Sequence, residues 1–129
     1  MIITDGAAST QKITEVISAA LAEHQVVVRP AESFTGEDLL PAHVFFLGCE
    51  KPNPPSFAYL AELLAHINLA GRPCGVFSAN SKALKYLSGL VKDSEAVTGE
   101  TLLAEDGAVK AAVVKKWLKD ILLSGKGDV

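Results

Sequence analysis

Cysteine is scarce. The 129-residue chain holds two, Cys49 and Cys74, far apart and without CxxC spacing. That excludes a disulfide framework and a thiolate zinc site, and each thiol is expected to pack as a small apolar group. No apolar run approaches the ~18 residues that a membrane helix requires. The first residues, Met1-Ile2-Ile3-Thr4-Asp5, carry no basic stretch and no cleavage site. A signal peptide is therefore not expected, and the cytoplasm is the expected location. Charge of either sign is modest: 12 basic against 15 acidic residues give a net −3. Without a basic stripe interleaved with aromatics, nucleic acid is not an expected partner. Aromatic residues are only 6% of the chain.

Apolar residues, by contrast, make up 49% of the chain. A chain of this length and composition is expected to form one domain over 1–129, burying roughly two thirds of its unfolded surface. The apolar positions alternate between two periods. Ile2-Ile3-Thr4 reads as a strand ended by Asp5-Gly6. Ile13, Val16, Ile17, Ala20 and Leu21 mark one face of a helix, with Thr10 as its expected N-cap. Val26-Val27-Val28 is an unbroken β-branched run, expected to be a strand buried on both faces and stopped by Arg29-Pro30. Residues 31–42 are irregular, with room for a single turn at Glu37-Asp38-Leu39-Leu40 but not for a full helix. Val44-Phe45-Phe46-Leu47 is the next strand. It leads into Gly48-Cys49-Glu50-Lys51-Pro52-Asn53-Pro54-Pro55, whose prolines exclude helix and central strand.

Ser56 is the expected cap of a helix carrying Phe57, Leu60, Ala61, Leu64 and Ile67, closed by Gly71. Cys74-Gly75-Val76-Phe77 is a strand. Asn80 or Ser81 caps a helix with Leu84, Leu87 and Val91. Ala96-Val97 and Thr101-Leu102-Leu103 form a last strand interrupted at Thr98-Gly99. A final helix over about 107–123 turns Val114, Trp117, Leu118 and Ile121 inward. Its Lys115, Lys116 and Lys119, with Lys110, form a solvated face.

Strands alternating with helices give a parallel sheet covered on both sides: an α/β, three-layer, doubly wound fold. Five strands suggest the order 2-1-3-4-5, with the switch point between strands 1 and 3. The loops at 5–10, 48–55 and 78–81 should line the crevice there. No sequence spacing assembles a catalytic triad around His24, His43 or His66. A phospho-receiver chemistry fails because Leu47-Gly48-Cys49 ends strand 3 without an aspartate. A phosphate-loop phosphatase fails because no arginine follows Cys49 until Arg72. An enzyme with its own catalytic residues is therefore not the expected reading.

In this order of elements the chain resembles the flavodoxin family over almost its whole length. The stretch from Val44 to Ser78 is similar to the family's third strand, proline-bearing loop, helix and fourth strand. The Thr98-Gly99-Glu100 turn is similar to the break in its last strand. The resemblance implies non-covalent FMN binding, electron transfer with a redox protein partner, and no metal. It implies a phosphate loop of the form S/T-x-T-G-x-T, which here reads Asp5-Gly6-Ala7-Ala8-Ser9-Thr10. Thr10 matches; Asp5 replaces the first hydroxyl, Ala7 a threonine and Ala8 the glycine. If the loop needs φ > 0 at Ala8, the cost is about 1–2 kcal/mol.

The implied ligand residues are Asp5, Gly6, Ala7, Ala8, Ser9, Thr10, Gly48, Cys49, Glu50, Ser78, Ala79 and Asn80. A bound phosphate is expected at the 5–10 loop, held by the N-terminus of the first helix. Pro52, Pro54 and Pro55 are expected to stiffen the second loop. Neither loop 48–55 nor loop 78–81 carries an aromatic residue; Phe57 reads as core and Tyr59 as the more exposed ring. Two readings stay open. One is an FMN-binding carrier, or a binder of another phosphate-bearing small molecule. The other is a module of the same fold that has lost flavin and serves as an interaction protein, a second copy of the chain being one candidate partner.

Overall fold

The computed structural model describes residues 1–33, 35, 37, 42–105 and 108–126, with side chains up to residue 122. One sheet runs through them. Its strands are β1 (Ile2–Thr4), β2 (Val28–Pro30), β3 (Phe45–Gly48), β4 (Pro73–Ser78), β5 (Val97–Thr98) and β6 (Leu102–Leu103). All pairs are parallel, in the order β2-β1-β3-β4-β5, and β6 pairs with the later part of β4. The helices are α1 (Ala8–Ala20), α2 (Ala58–His66), α3 (Ser81–Asp93) and α4 (Ala111–Lys126), with a 3₁₀ turn at Pro55–Phe57.

The central strands are buried along their whole lengths. Their side chains divide by parity, because successive residues of a strand face opposite sides. Ile3, Phe45 and Leu47 pack with Phe57, Leu60, Leu64, Leu84, Leu87 and Val91, from the side of α2 and α3. Ile2, Phe46 and Phe77 pack with Ile13, Ile17, Val114, Trp117 and Ile121, from the side of α1 and α4. Trp117 meets Phe46 at 5.5 Å and Phe77 edge-on at 6.4 Å between ring centroids. Its indole N–H donates to the Glu100 carbonyl at 2.7 Å, tying α4 to the interruption between β5 and β6. Both cysteines are buried and free.

Several local expectations give way. The β-branched run does not make a strand buried on both faces: the strand is Val28–Pro30, it is exposed, and it forms the edge of the sheet. Its pairing continues through Arg29-Pro30 rather than stopping there. Thr10 is not the N-cap of α1; Ala7 holds that position without a side-chain bond, and Thr10 lies buried inside the helix. Ser56 caps nothing, because Pro55 starts a 3₁₀ turn with a rigid φ suited to the first helical position. The second helix ends at His66, and Gly71 instead supplies φ +82° to the turn between Leu69 and Arg72. The last helix begins at Ala111, not near 107. The Asn80 cap is present: Asn80 Oδ1 accepts from the Lys82 N–H at 2.8 Å. The turn expected at 37–40 lies largely outside the described residues.

Candidate functional site

Loops 5–10, 48–55 and 78–81 follow β1, β3 and β4, so they gather at the carboxyl edge of three adjacent strands. A chain of hydrogen bonds ties them together. The Asp5 carboxylate accepts from the Ala7 N–H at 3.0 Å through Oδ1 and from the Glu50 N–H at 2.8 Å through Oδ2. The Ser78 hydroxyl, fully buried, donates to the Cys49 carbonyl and accepts from the Asn80 N–H at 3.0 Å. The Cys49 thiol donates to the Lys51 carbonyl. Two side chains thus bridge three loops, through bonds between partners 29 and 45 positions apart in sequence. The elements explain the placement. β1 ends at Thr4 and Gly6 turns the chain at φ +78°, which leaves Asp5 at the strand end facing the neighbouring loop.

The start of α1 leaves hydrogen-bonding groups unused. Its N-cap is an alanine, so among the described residues no side chain satisfies the first-turn N–H groups of Ala8, Ser9 and Thr10. The hydroxyls of Ser9 and Thr10 are buried and have no partner. Buried hydroxyls normally have one, so each of the two has unused hydrogen-bonding capacity. The positive φ is carried by Gly6, not by Ala8, which is the first residue of α1. The anticipated strain at Ala8 is therefore absent, because the loop makes its turn two residues earlier.

The other expected residues fall as follows. Gly48 lies at the end of β3, where a Cβ would stand 2.3 Å from the Phe77 ring. Cys49 is buried; Glu50 is exposed but its N–H is taken by Asp5. Ala79 packs partly against the core on the α1 side. Phe57 is fully buried and contacts Tyr86 at 6.5 Å, whereas Tyr59 is 46% exposed. Tyr86, which its mid-helix position made unremarkable, has a buried hydroxyl without a partner, raised in pKa by burial and then by the neighbouring Cys49. Only the fold brings it there; nothing in its spacing signals that position. A cavity of about 450 Å³ opens at the opposite, amino edge of the sheet, beside Ile2, Leu21, Val26 and Val44. It shares none of the expected residues. Among the described residues no group of acidic, histidine or cysteine side chains could hold a metal, and no helix is long and apolar enough to cross a membrane.

The Cys49 thiol is pushed from 9.0 up to about 12, first by burial and then by the Asp5 charge. Burial raises Cys74 well above its ordinary value too. Both thiols are neutral in the folded chain where an unfolded chain would begin to ionise. Their contribution to stability is complete below about pH 9 and is lost as the pH rises toward 12. The thermal midpoint is expected to fall across that window, and more gently in Cys49→Ala. At pH 8, thiol-directed alkylation should await unfolding. Rapid labelling of the native chain at pH 8 would contradict this.

The Ser78 bridge is testable by itself. Ser78→Ala removes two hydrogen bonds and leaves the Cys49 carbonyl without this donor. The expected loss is about 1–3 kcal/mol in urea unfolding. An unchanged midpoint would show that the three loops hold together without it.

No known family model matches the chain, and no curated protein matches it in sequence. Solved structures do match. The flavodoxin of Streptococcus pneumonia TIGR4 is 17% identical, with 99% of this chain and 97% of that one covered and a TM-score of 0.74. A short-chain flavodoxin associated with a non-canonical PDU bacterial microcompartment is 12% identical, with 96% and 95% covered and a TM-score of 0.77. Oxidised flavodoxin 2 of Bacillus cereus is 19% identical, with 99% and 97% covered and a TM-score of 0.73. With its strand order and these superpositions, the chain has the flavodoxin fold.

Proposed function

We propose that the chain binds a flavin nucleotide, FMN, at the carboxyl edge of its sheet and carries electrons to and from a redox protein in the cytoplasm. The observation that carries this reading is the pair of buried, partnerless hydroxyls on Ser9 and Thr10 beside uncapped N–H groups of α1. These donors suit a phosphoryl group at a helix N-terminus, where the dipole adds roughly half a positive charge. The bonds through Asp5 and Ser78 hold the loops in place before a ligand arrives, which limits the entropy lost on binding. When bound, the flavin supplies the electron-transfer chemistry, and the chain's own residues supply binding and electrostatics.

The test is direct. A yellow purified protein, or quenching of FMN fluorescence on titration, is the expected result. A colourless protein that leaves FMN unquenched at high concentration favours the second reading, an interaction module of the same fold. Two observations speak for that alternative. Phe57, the aromatic nearest the second loop, is in the core. The Ala7 and Glu50 N–H groups are already taken by Asp5.

A further inference from the structure

Between residues 5 and 10 Asp5 carries the one charged side chain. Both of its oxygens are engaged, one by its own loop and one by the loop after β3, so the carboxylate is fixed at the crevice and does not swing away. Among the described residues no cationic side chain pairs with it. A phosphate seated on the first turn of α1 would therefore share a loop with a fixed negative charge. The helix end and the Ser9 and Thr10 hydroxyls attract a dianion, while Asp5 repels it. Two charges on the ligand double the repulsion, and a partly buried site screens it less than water does.

We infer that Asp5 sets which flavin this site takes: it cancels the advantage of the phosphate, so that riboflavin and FMN bind with similar affinity. The inference rests on the flavin reading and goes beyond it, because it assigns the ligand's charge state to one residue. Asp5 is a specificity-determining residue.

The experiment titrates FMN and riboflavin into the wild-type chain, Asp5→Asn and Asp5→Ser, following flavin fluorescence. Asp5→Asn keeps a side-chain acceptor for the Ala7 or Glu50 N–H, so it preserves the loop if Asp5→Ser loosens it; circular dichroism melts report on folding. In the wild type the two dissociation constants should agree within about threefold, an energy gap of about 0.65 kcal/mol or less. In both variants FMN should tighten about tenfold or more, as removal of a like charge at a partly desolvated site predicts. Riboflavin, which has no phosphate, should change little. The inference is overturned if wild type already prefers FMN strongly, or if flavin binds and the substitutions move both ligands equally or neither. If neither flavin binds any of the three proteins, the flavin reading itself fails and takes this inference with it.

Discussion

Phe77→Ala is expected to lower the unfolding free energy by about 3–5 kcal/mol, the range for removing a fully buried aromatic side chain. Phe77 is fully buried in β4, stacks edge-on against Trp117, and lies over Gly48 of the neighbouring strand. Its loss opens a cavity between the sheet and α4. That cavity cannot close without moving Trp117, which is itself held by the Glu100 carbonyl. Urea unfolding should show a lower midpoint with an unchanged slope. A loss below about 1 kcal/mol would mean that the ring is not a core element, since ordinary surface substitutions stay within about 0.5 kcal/mol.

The second large effect is steric and comes from the opposite direction. Gly48→Ala places a methyl group 2.3 Å from two atoms of the Phe77 ring, and the ring has buried neighbours behind it. Gly48 has no positive φ, so the cost is crowding and not backbone strain. Overpacking of this kind costs about 1–3 kcal/mol. The pair offers an internal control. In Gly48→Ala combined with Phe77→Leu, the smaller side chain should relieve part of the crowding, so the double variant loses less than the two singles together, with a coupling of about 0.5–3 kcal/mol. Strict additivity would place the ring away from Gly48. Because Cys49 and Glu50 follow directly, the same substitution should also disturb the bonds to Ser78 and Asp5.

Much of this architecture is legible in the chain. Central strands read as continuous apolar runs because both of their faces are covered, and the break in the last strand, expected at Thr98-Gly99, falls at residues 99–101. What misleads is burial. Val26-Val27-Val28 has the composition of an interior strand, yet the order 2-1-3-4-5 places strand 2 at the rim, where its residues are exposed. The first cap misleads for a different reason. Thr10 has the right hydroxyl for an N-cap, but Asp5 organises the loop ahead of the helix, and the N-cap falls three residues earlier, at Ala7. The loop residues of the candidate site were legible as a list of positions. Their mutual bonding was not, since Asp5 with Glu50 and Ser78 with Cys49 are contacts between distant segments that no local spacing encodes.

The two rims of the sheet carry a consequence for self-association. At one rim β2 offers three residues, the last of them Pro30, which has no N–H to give. At the other, β5 and β6 offer two residues each, separated by the residues 99–101. A strand from another molecule needs a run of free backbone donors and acceptors to dock against, and among the described residues neither rim supplies one of useful length. Sheet extension into larger assemblies is disfavoured on both sides. Where two copies of this chain meet, the contact is expected through helix faces, leaving each sheet closed within its own molecule.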